Sequence, residues 1–140
     1  PIFTNATFRS NLAETGGAVF ITGSSTSLDD DDMSASFEGC VFIGNRAEAT
    51  GGAIESATGT AAITSTTFRG NEARNGGALR LSGATMMNES IFEENISELD
   101  GGQAISFIGS ELRIETGTFR KNAYDCDDGT FFNETGVSLS

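Results

Sequence analysis

The residues best suited to chemistry in this 140-residue chain are its acidic side chains. Twenty Asp and Glu residues stand against eight Lys and Arg residues, and the formal net charge is −12. The four adjacent carboxylates at residues 29–32 could supply oxygen ligands to Ca²⁺, but they lack the alternation and the glycine turn of a recognised calcium loop. A shorter acidic corner contains Asp125, Asp127 and Asp128. The simpler interpretation of both is solvated charge, and no metal site is predicted.

Catalytic chemistry is not supported by the other polar side chains. The chain contains no histidine, so Ser-His and Cys-His nucleophiles are excluded within it. Enzymes that cleave polysaccharides need paired carboxylates at a set separation, or bound Ca²⁺ with a basic residue nearby. Arg9, Arg69 and Arg120 do not cluster in that way. With Glu93 they share one repeated position, which indicates a surface ladder of ion pairs, and we predict no catalytic residue and no cofactor site.

The charge balance and the hydropathy pattern exclude two classes of partner. A surface that binds nucleic acid needs clustered Lys and Arg, which a net charge of −12 does not favour. No apolar run approaches the ~20 residues that a membrane-spanning helix needs. We therefore expect neither nucleic-acid binding nor membrane insertion by this segment.

A fivefold repeat explains most of the composition. Each unit carries Phe-x-x-Asn, followed at a nearly constant distance by Gly-Gly or, in the last unit, by Asp-Gly. The Phe and Asn pairs are Phe8/Asn11, Phe42/Asn45, Phe68/Asn71, Phe92/Asn95 and Phe119/Asn122. The period is 24 to 27 residues, and only the first interval is longer, at 34. The surplus coincides with the polar, acidic residues 24–33, which we interpret as a loop inserted at one corner of a repeat structure.

The length and composition of the units select the kind of repeat. Eighteen glycines argue against helices, because Gly in a helix interior costs roughly 1 kcal/mol relative to Ala. The segments between glycines, such as residues 18–21 and 61–64, are rich in residues that favour strands. Three short strands would fill each unit, and units stacked ~4.8 Å apart form a parallel β-helix. The predicted fold class is therefore all-β, a parallel β-helix of about five rungs.

Each repeated residue type has a predicted place in the coil. The five motif Phe residues would stack inward as an aromatic column, and the five motif Asn residues would form a ladder between rungs. A second inward column is predicted two residues after the double glycine, at Val19, Ile54, Leu79 and Phe131. In the fourth unit, either Ile105 takes this place through a one-residue shift or the rung is locally loose. The double glycines mark a corner with positive φ or with very close backbone approach.

The motif pair resembles a known family. Phe-x-x-Asn with Gly-Gly-Ala-(Ile/Leu/Val), present at residues 16–19, 51–54 and 76–79, is similar to the repeat of the chlamydial polymorphic outer-membrane proteins. Similar repeats occur in large secreted proteins of algae and other protists. The resemblance covers nearly all of the chain. It implies a right-handed β-helix that acts outside the cell as an adhesin, passenger or building material, and it brings no catalytic residue with it.

Four Asn-x-Ser/Thr sequons, a departure from the bacterial pattern, favour a eukaryotic secretory route. They begin at Asn5, Asn88, Asn95 and Asn133. Asn95 belongs to the predicted ladder, so we expect its amide to be sequestered. Asn5 and Asn88 are expected to face outward at one corner of the rod, roughly 14 Å apart. The predicted glycosylation sites are thus Asn5, Asn88 and Asn133.

The two cysteines, Cys40 and Cys126, are predicted not to form a disulfide. They lie in the second and fifth units, so an axial gap of ~14 Å exceeds the ~7 Å limit between bridged Cα atoms. Cys40 is expected to be a buried free thiol. Cys126 lies in an acidic corner, where we expect it to be exposed, and a partner outside this segment is an alternative.

The sequence thus predicts that residues 1–140 form a single β-helix segment of a longer repeat protein, without the polar caps that repeat rods normally need. Its predicted role is a non-enzymatic structural or adhesive solenoid, extracellular or on the cell surface. Its partners would be neighbouring rungs or domains of the parent chain, other copies end to end, or surface glycans and receptors. The alternative is a carbohydrate-binding or polysaccharide-degrading β-helix protein. An ice-binding rod is disfavoured because the Thr-x-Thr motifs are out of phase.

Overall fold

The computed structural model describes residues 1–23, 34–99, 102–109, 111–126, 129–132 and 137–139, with side chains up to residue 122. Every regular element in these residues is a β-strand, as predicted. Within the described ranges, no helix has the length and hydrophobicity that a bilayer span requires. The predicted insertion at residues 24–33 lies outside the described residues.

The described strands form four sheets, and we number the strands in chain order. Sheet 1 contains β1 (Ile2–Thr4), β5 (Ala35–Glu38), β9 (Ala61–Thr64), β13 (Thr85–Asn88) and β17 (Leu112–Ile114). Sheet 2 contains β2 (Thr7–Arg9), β6 (Val41–Ile43), β10 (Thr67–Arg69), β14 (Ser90–Glu93) and β18 (Gly117–Arg120). Sheet 3 contains β3 (Leu12–Thr15), β7 (Arg46–Thr50), β11 (Glu72–Ala73), β15 (Ile96–Ser97), β19 (Ala123–Cys126) and β20 (Gly129–Phe132). Sheet 4 contains β4 (Val19–Ile21), β8 (Ile54–Ser56), β12 (Leu79–Leu81), β16 (Ile105–Phe107) and β21 (Val137–Leu139).

The strand order is that of a parallel solenoid. Strands β1 to β4 enter sheets 1, 2, 3 and 4 in turn, and the next three groups of four strands repeat this order. All described strand pairs are parallel except that of β19 with β20. The predicted all-β parallel coil is therefore confirmed.

The prediction of three strands in each unit is wrong, because four are present. The additional bend separates sheet 1 from sheet 2. It is made by residues with positive φ at equivalent positions: Asn5 (52°), Gly39 (61°), Ser65 (48°) and Glu89 (51°). These positions share a backbone conformation but no residue type, so the repeat pattern does not reveal the bend.

The motif Phe residues stack on sheet 2, where they are register partners. Successive ring centroids from Phe8 to Phe119 are 4.5, 5.0, 4.8 and 4.8 Å apart, and the ring planes are within 9° of parallel. This spacing follows from the ~4.8 Å between strands. Such aromatic pairs contribute ~0.5–1.5 kcal/mol each beyond their buried area.

Sheet 1 contributes a further apolar column, which the sequence did not predict. Phe3, Phe37, Ile63 and Met87 are register partners there. The Phe3 and Phe37 rings stack at 5.2 Å, and Phe37 meets Phe42 edge to face at 5.6 Å. Side chains of sheets 1 and 2 therefore interlock in the core, and Phe37 and Ile63 are fully buried.

The inward column of sheet 4 contains Val19, Ile54, Leu79 and Ile105, and the backbone of Val137 is in register with Ile105. Ile105 thus takes the inward place in the fourth unit, as one of the two predicted alternatives requires. The assignment of Phe131 to this column is wrong, since Phe131 lies on β20 and pairs with Tyr124 of β19 in antiparallel orientation. The fifth unit lacks the double glycine, and its β20 pairs antiparallel with β19 before β21 joins sheet 4 parallel to β16.

Candidate functional site

The ladder asparagines form a continuous chain of side-chain hydrogen bonds. Each Nδ2 donates to the Oδ1 of the next asparagine at 2.8–3.0 Å, from Asn11 through to Asn122. Each acceptor Oδ1 also receives the backbone N–H of the preceding asparagine at 3.0–3.1 Å. The second amide hydrogen of Asn45, Asn71 and Asn95 binds the carbonyl of the motif Phe one unit earlier. These three amides have no spare donor or acceptor, so the column is structural and offers nothing to a ligand.

Charged side chains on the outer face of sheet 2 form the predicted ion-pair column. Glu93 lies 3.8 Å from Arg69 and 3.5 Å from Arg120. A similar pair joins Arg46 and Glu72 at 3.4 Å on sheet 3. Because the Arg side chains are more than half exposed, each contact contributes only ~0–1 kcal/mol. These charges cover the surface and do not converge on a cleft.

The corner between sheets 3 and 4 brings polar side chains together. We define the corner groove by Thr15, Thr50 and Asn75 on sheet 3 and by Phe20, Glu55, Arg80 and Ser106 on sheet 4. The members of each side are register partners from strand to strand. The Thr50 side chain lies near enough to Glu55 to lower the pKa of that carboxyl.

The double glycine creates this corner. The first glycine has positive φ, as at Gly16 (54°) and Gly76 (69°). A Cβ added to Gly16 would lie 3.1 Å from the Cβ of Glu55, and one added to Gly76 would lie 3.2 Å from the Cβ of Ser106. The glycines therefore let the corner fold over the outer face of sheet 4. As a result Glu55 and Ser106 are only 8% and 5% exposed, although the neighbouring Ile54 faces inward.

The corner groove contains polar atoms that have no hydrogen-bond partner. Five buried side-chain atoms in the described residues lack one, and three of them belong to this groove: Glu55 Oε2, Asn75 Oδ1 and Arg80 Nε. Burial raises the pKa of Glu55, and the Thr50 hydroxyl and the Arg80 guanidinium only partly oppose that shift. Arg80 also donates to Ser106 Oγ over a long 3.4 Å. None of these three atoms is accessible to solvent.

We expect Glu55→Gln to stabilise the fold near neutral pH and to have little effect in acid. Because the pKa of Glu55 is raised above its ordinary value of 4.5, the folded chain retains this proton to higher pH than the unfolded chain. The free energy of unfolding is then greatest below the ordinary value and falls as pH rises through the raised pKa. The Glu55→Gln substitution removes this loss of unfolding free energy, because glutamine does not ionise.

Urea unfolding of both proteins at about pH 4 and about pH 7 measures this difference. Glu93→Gln, at an outward carboxylate of sheet 2, is the matched control and should show no gain at neutral pH. An equal difference between Glu55→Gln and the parent chain at both pH values would contradict the prediction.

The sequon asparagines have different surroundings. Asn5 is exposed at the bend between sheets 1 and 2. Asn88 is half-buried, and its Oδ1 accepts a 2.7 Å hydrogen bond from Thr116. The register aligns Asn88 with Thr4. Asn88 therefore lies at the same corner as Asn5 but one residue position earlier along the strand. Asn95 is fully buried in the ladder, and Asn133 lies outside the described residues.

Cys40 is a buried free thiol, as predicted. Its Sγ lies 3.4 Å from the Phe3 carbonyl oxygen and 3.5 Å from that of Glu38, both within reach of a weak S–H donor. The side chain of Cys126 and the acidic residues 29–32 lie outside the described part of the chain. Within that part, no group of three or more His, Cys, Asp or Glu side chains is placed to hold a metal ion.

The corner groove is not evident from the repeat, because the repeated residue types are the inward ones. Its outward members come directly after them, as Phe20, Glu55 and Arg80 in Gly-Gly-Ala-Val-Phe, Gly-Gly-Ala-Ile-Glu and Gly-Gly-Ala-Leu-Arg. That position holds an aromatic, an acidic and a basic residue in successive units. Such variation within an otherwise regular motif is the signal that could have located the groove.

Comparison with known proteins supports the motif assignment over one unit. No curated protein and no solved structure matches the chain. The family model described as the Chlamydia polymorphic membrane protein repeat matches residues 39–57. This stretch includes β6, β7 and β8, with Phe42, Asn45 and the double glycine of the second unit. The predicted resemblance is thereby confirmed: residues 39–57 match the repeat of the Chlamydia polymorphic membrane proteins.

Proposed function

We propose that this chain is a non-enzymatic segment of a surface or secreted protein, in which a parallel solenoid acts as an adhesive module or a spacer. The observation that supports this most is the continuity of the Phe and Asn columns between coils. Stacking of this kind produces a stiff rod in which each coil contacts only its neighbours. A stiff rod can hold a binding surface away from the structure to which it is attached.

The match to a membrane-protein repeat at residues 39–57 supports a surface location. An adhesin-type passenger fits both this repeat and the solenoid. The proposed partners are neighbouring coils or domains of the parent chain, other copies end to end, and surface glycans or receptors. The net charge of −12 is consistent with the proposed absence of nucleic-acid partners.

We propose as well that the coil is right-handed, with five rungs of 24–27 residues and an acidic loop inserted at residues 24–33. Handedness follows from the strong preference of parallel crossover connections for the right-handed form. The alignment of all five motif Phe residues on sheet 2 supports the count of rungs.

The arrangement of the polar side chains favours a non-enzymatic role. The ladder amides are saturated by one another, and the ion pairs lie on open surface. Among the residues that define the corner groove, Glu55 is the only carboxylate; burial raises its pKa, and Thr50 and Arg80 partly oppose that shift. Glycan hydrolysis ordinarily requires a pair of carboxyl groups that divide the acid and nucleophile or base roles.

Brief protease treatment of intact source cells tests the surface proposal. Peptides that contain the exposed bend at Asn5 should be released into the medium while a cytoplasmic marker enzyme remains uncleaved. Recovery of these peptides only after the cells are lysed would refute a surface location.

Peptides of the source protein that contain Asn5 or Asn95 report on glycosylation. Asn5 should carry an N-linked glycan because it is exposed, whereas Asn95 should carry none because its amide is buried in the ladder. Mass mapping before and after enzymatic deglycosylation measures both sites. Sugar on Asn95 alone would contradict the burial of its amide in the ladder.

A further inference from the structure

We propose that the outer edge of the first coil is a surface through which two copies of this chain associate head to head as a two-fold dimer. The first coil comprises strands β1 to β4 within residues 1–23, and its outer edge is the side on which no described strand pairs with them. The inference rests on one part of the proposed function, the contact of copies end to end. It names the end that makes the contact and the symmetry of the pair.

The outer edge of the first coil is unpaired in every sheet. β1, β2, β3 and β4 are the terminal strands of sheets 1, 2, 3 and 4. A terminal strand presents free N–H and C=O groups that can pair with a strand of another chain. The asparagine ladder also ends here, since Asn11 is exposed whereas Asn45 in the next coil is fully buried. This edge is therefore a template for a further layer of strands.

The core is incompletely covered at the same edge. Phe3, Phe8 and Val19 point inward in the first coil but are only half-buried. Their register partners in the second coil are fully buried: Phe37, Phe42 and Ile54. Because burial of apolar surface is favourable, a layer laid on the first coil would be stabilised as the first coil stabilises the second.

Outward side chains of the first coil are apolar where those of the next coil are not. Ile2, Leu12 and Phe20 are 79%, 68% and 53% exposed, the highest values among the large apolar side chains that the structure describes. Their register partners in the second coil are Ser36, Arg46 and Glu55. Large apolar side chains that are exposed together mark a protein contact surface.

A cleft of about 230 Å³ opens beside the first coil between β4 and β1, and its lining includes Phe3, Val19 and Phe20. Small-molecule sites usually measure about 300–1,000 Å³. The cleft is therefore better matched to a single apolar side chain of a protein partner than to a ligand.

The charge distribution favours a second copy as that partner. Residues 1–23 contain one acidic and one basic side chain, Glu14 and Arg9, although the whole chain carries a net charge of −12. A charge of this size makes copies repel one another, and the repulsion comes from the other residues. Contact through the first coil avoids it and continues the stacking of strands that already joins the coils.

The opposite end of the coil differs, so the contact closes as a dimer and does not extend into a filament. Asn122, the last member of the ladder, is fully buried. Sheet 3 ends there in β20, which is antiparallel to β19, so a further parallel coil would lack a matching edge. Two first coils instead present the same surface to each other, which gives a closed two-fold pair. Their strands would pair antiparallel, a slightly more stable arrangement than parallel pairing.

Sedimentation velocity of the full 140-residue chain, from about 1 to about 100 µM, tests the proposal by mass action. We expect monomer to convert to dimer as the concentration rises, without larger species. Ile2→Lys and Leu12→Lys each place a charge on the apolar edge of both copies. Each should raise the dissociation constant of the dimer about tenfold or more, as expected for anchor residues of an interface.

Met86→Lys is the matched control. Met86 occupies the same outward column of sheet 1 as Ile2, three coils further along, and is 37% exposed. This variant should dimerise as the parent chain does. Ile2→Ser, which introduces the residue type found at the equivalent position of the second coil, should weaken the dimer without adding charge. Circular dichroism should show that all four variants keep the β-sheet spectrum of the parent chain.

A monomer throughout this concentration range would overturn the proposal, and so would equal weakening of the dimer by Met86→Lys. A series of species larger than the dimer would overturn the two-fold closure. The surface location is tested separately by protease treatment of cells. A purified chain that stays monomeric, while its peptides are released from intact cells, would refute the dimer and leave the surface location standing.

Discussion

Asn71→Ala is expected to lower the free energy of unfolding by about 3–5 kcal/mol. The substitution removes two hydrogen bonds that Asn71 Nδ2 donates, to Phe42 O and Asn95 Oδ1, and two that its Oδ1 accepts from Asn45. Several of the partners are fully buried, so no water replaces the lost contacts. Each buried group left without a partner costs about 1–3 kcal/mol.

Asn75→Ala is the matched control for this prediction. Asn75 lies four residues further along the same unit, and its Oδ1 has no hydrogen-bond partner. Its loss should change stability by less than about 1 kcal/mol, as for sites outside a hydrogen-bond network. Urea unfolding monitored by circular dichroism measures both variants. Equal destabilisation by the two substitutions would show that the ladder does not hold the coils together.

Gly52→Ala is expected to be the more damaging of two alanine substitutions at corner glycines. An added Cβ would lie 2.6 Å from the Glu72 carbonyl oxygen, 2.7 Å from the Glu72 nitrogen and closer still to the Gly77 carbonyl oxygen. All three are backbone atoms of the next coil, which cannot move without breaking sheet hydrogen bonds. We expect a loss of more than about 4 kcal/mol, the range of the most severe single substitutions, or failure to fold.

Gly70→Ala provides the comparison, because this glycine also has positive φ (60°) but no atom lies within 4 Å of the added Cβ. Ser10, Glu94 and Lys121 occupy the equivalent corner in other units with φ of 51–56°. The expected loss is therefore only the ~1–2 kcal/mol of a left-handed alanine. Thermal and urea unfolding of the two variants settle the comparison, and similar melting temperatures would disprove the role of close backbone approach at Gly52.

Much of the fold follows from the repeat because the coils impose translational register. Once strands stack in parallel, identical residues at a constant period must lie above one another. The positions of the Phe and Asn columns are consequences of this rule. The same rule predicts that Glu93 meets Arg69 and Arg120, which the structure confirms.

Features that depend on backbone conformation were harder to predict. The bend between sheets 1 and 2 uses Asn5, Gly39, Ser65 and Glu89, four residue types that share only a positive φ. The prediction of three strands in each unit was wrong for this reason. The predicted position of Phe131 was also wrong, because the fifth unit keeps its motif Phe but lacks the double glycine that turns the coil.

The sequence by itself determined the all-β repeat, the stacked Phe and Asn columns and the absence of histidine, because these depend on period and composition alone. The corner groove was decided only by the tertiary structure. Glu55 and Arg80 follow the pattern of solvent-facing strand residues, yet the glycine corner folds over sheet 4 and buries polar atoms of both. The local sequence shows which face of a strand a residue occupies, whereas the packing of one sheet against another decides whether that face meets water.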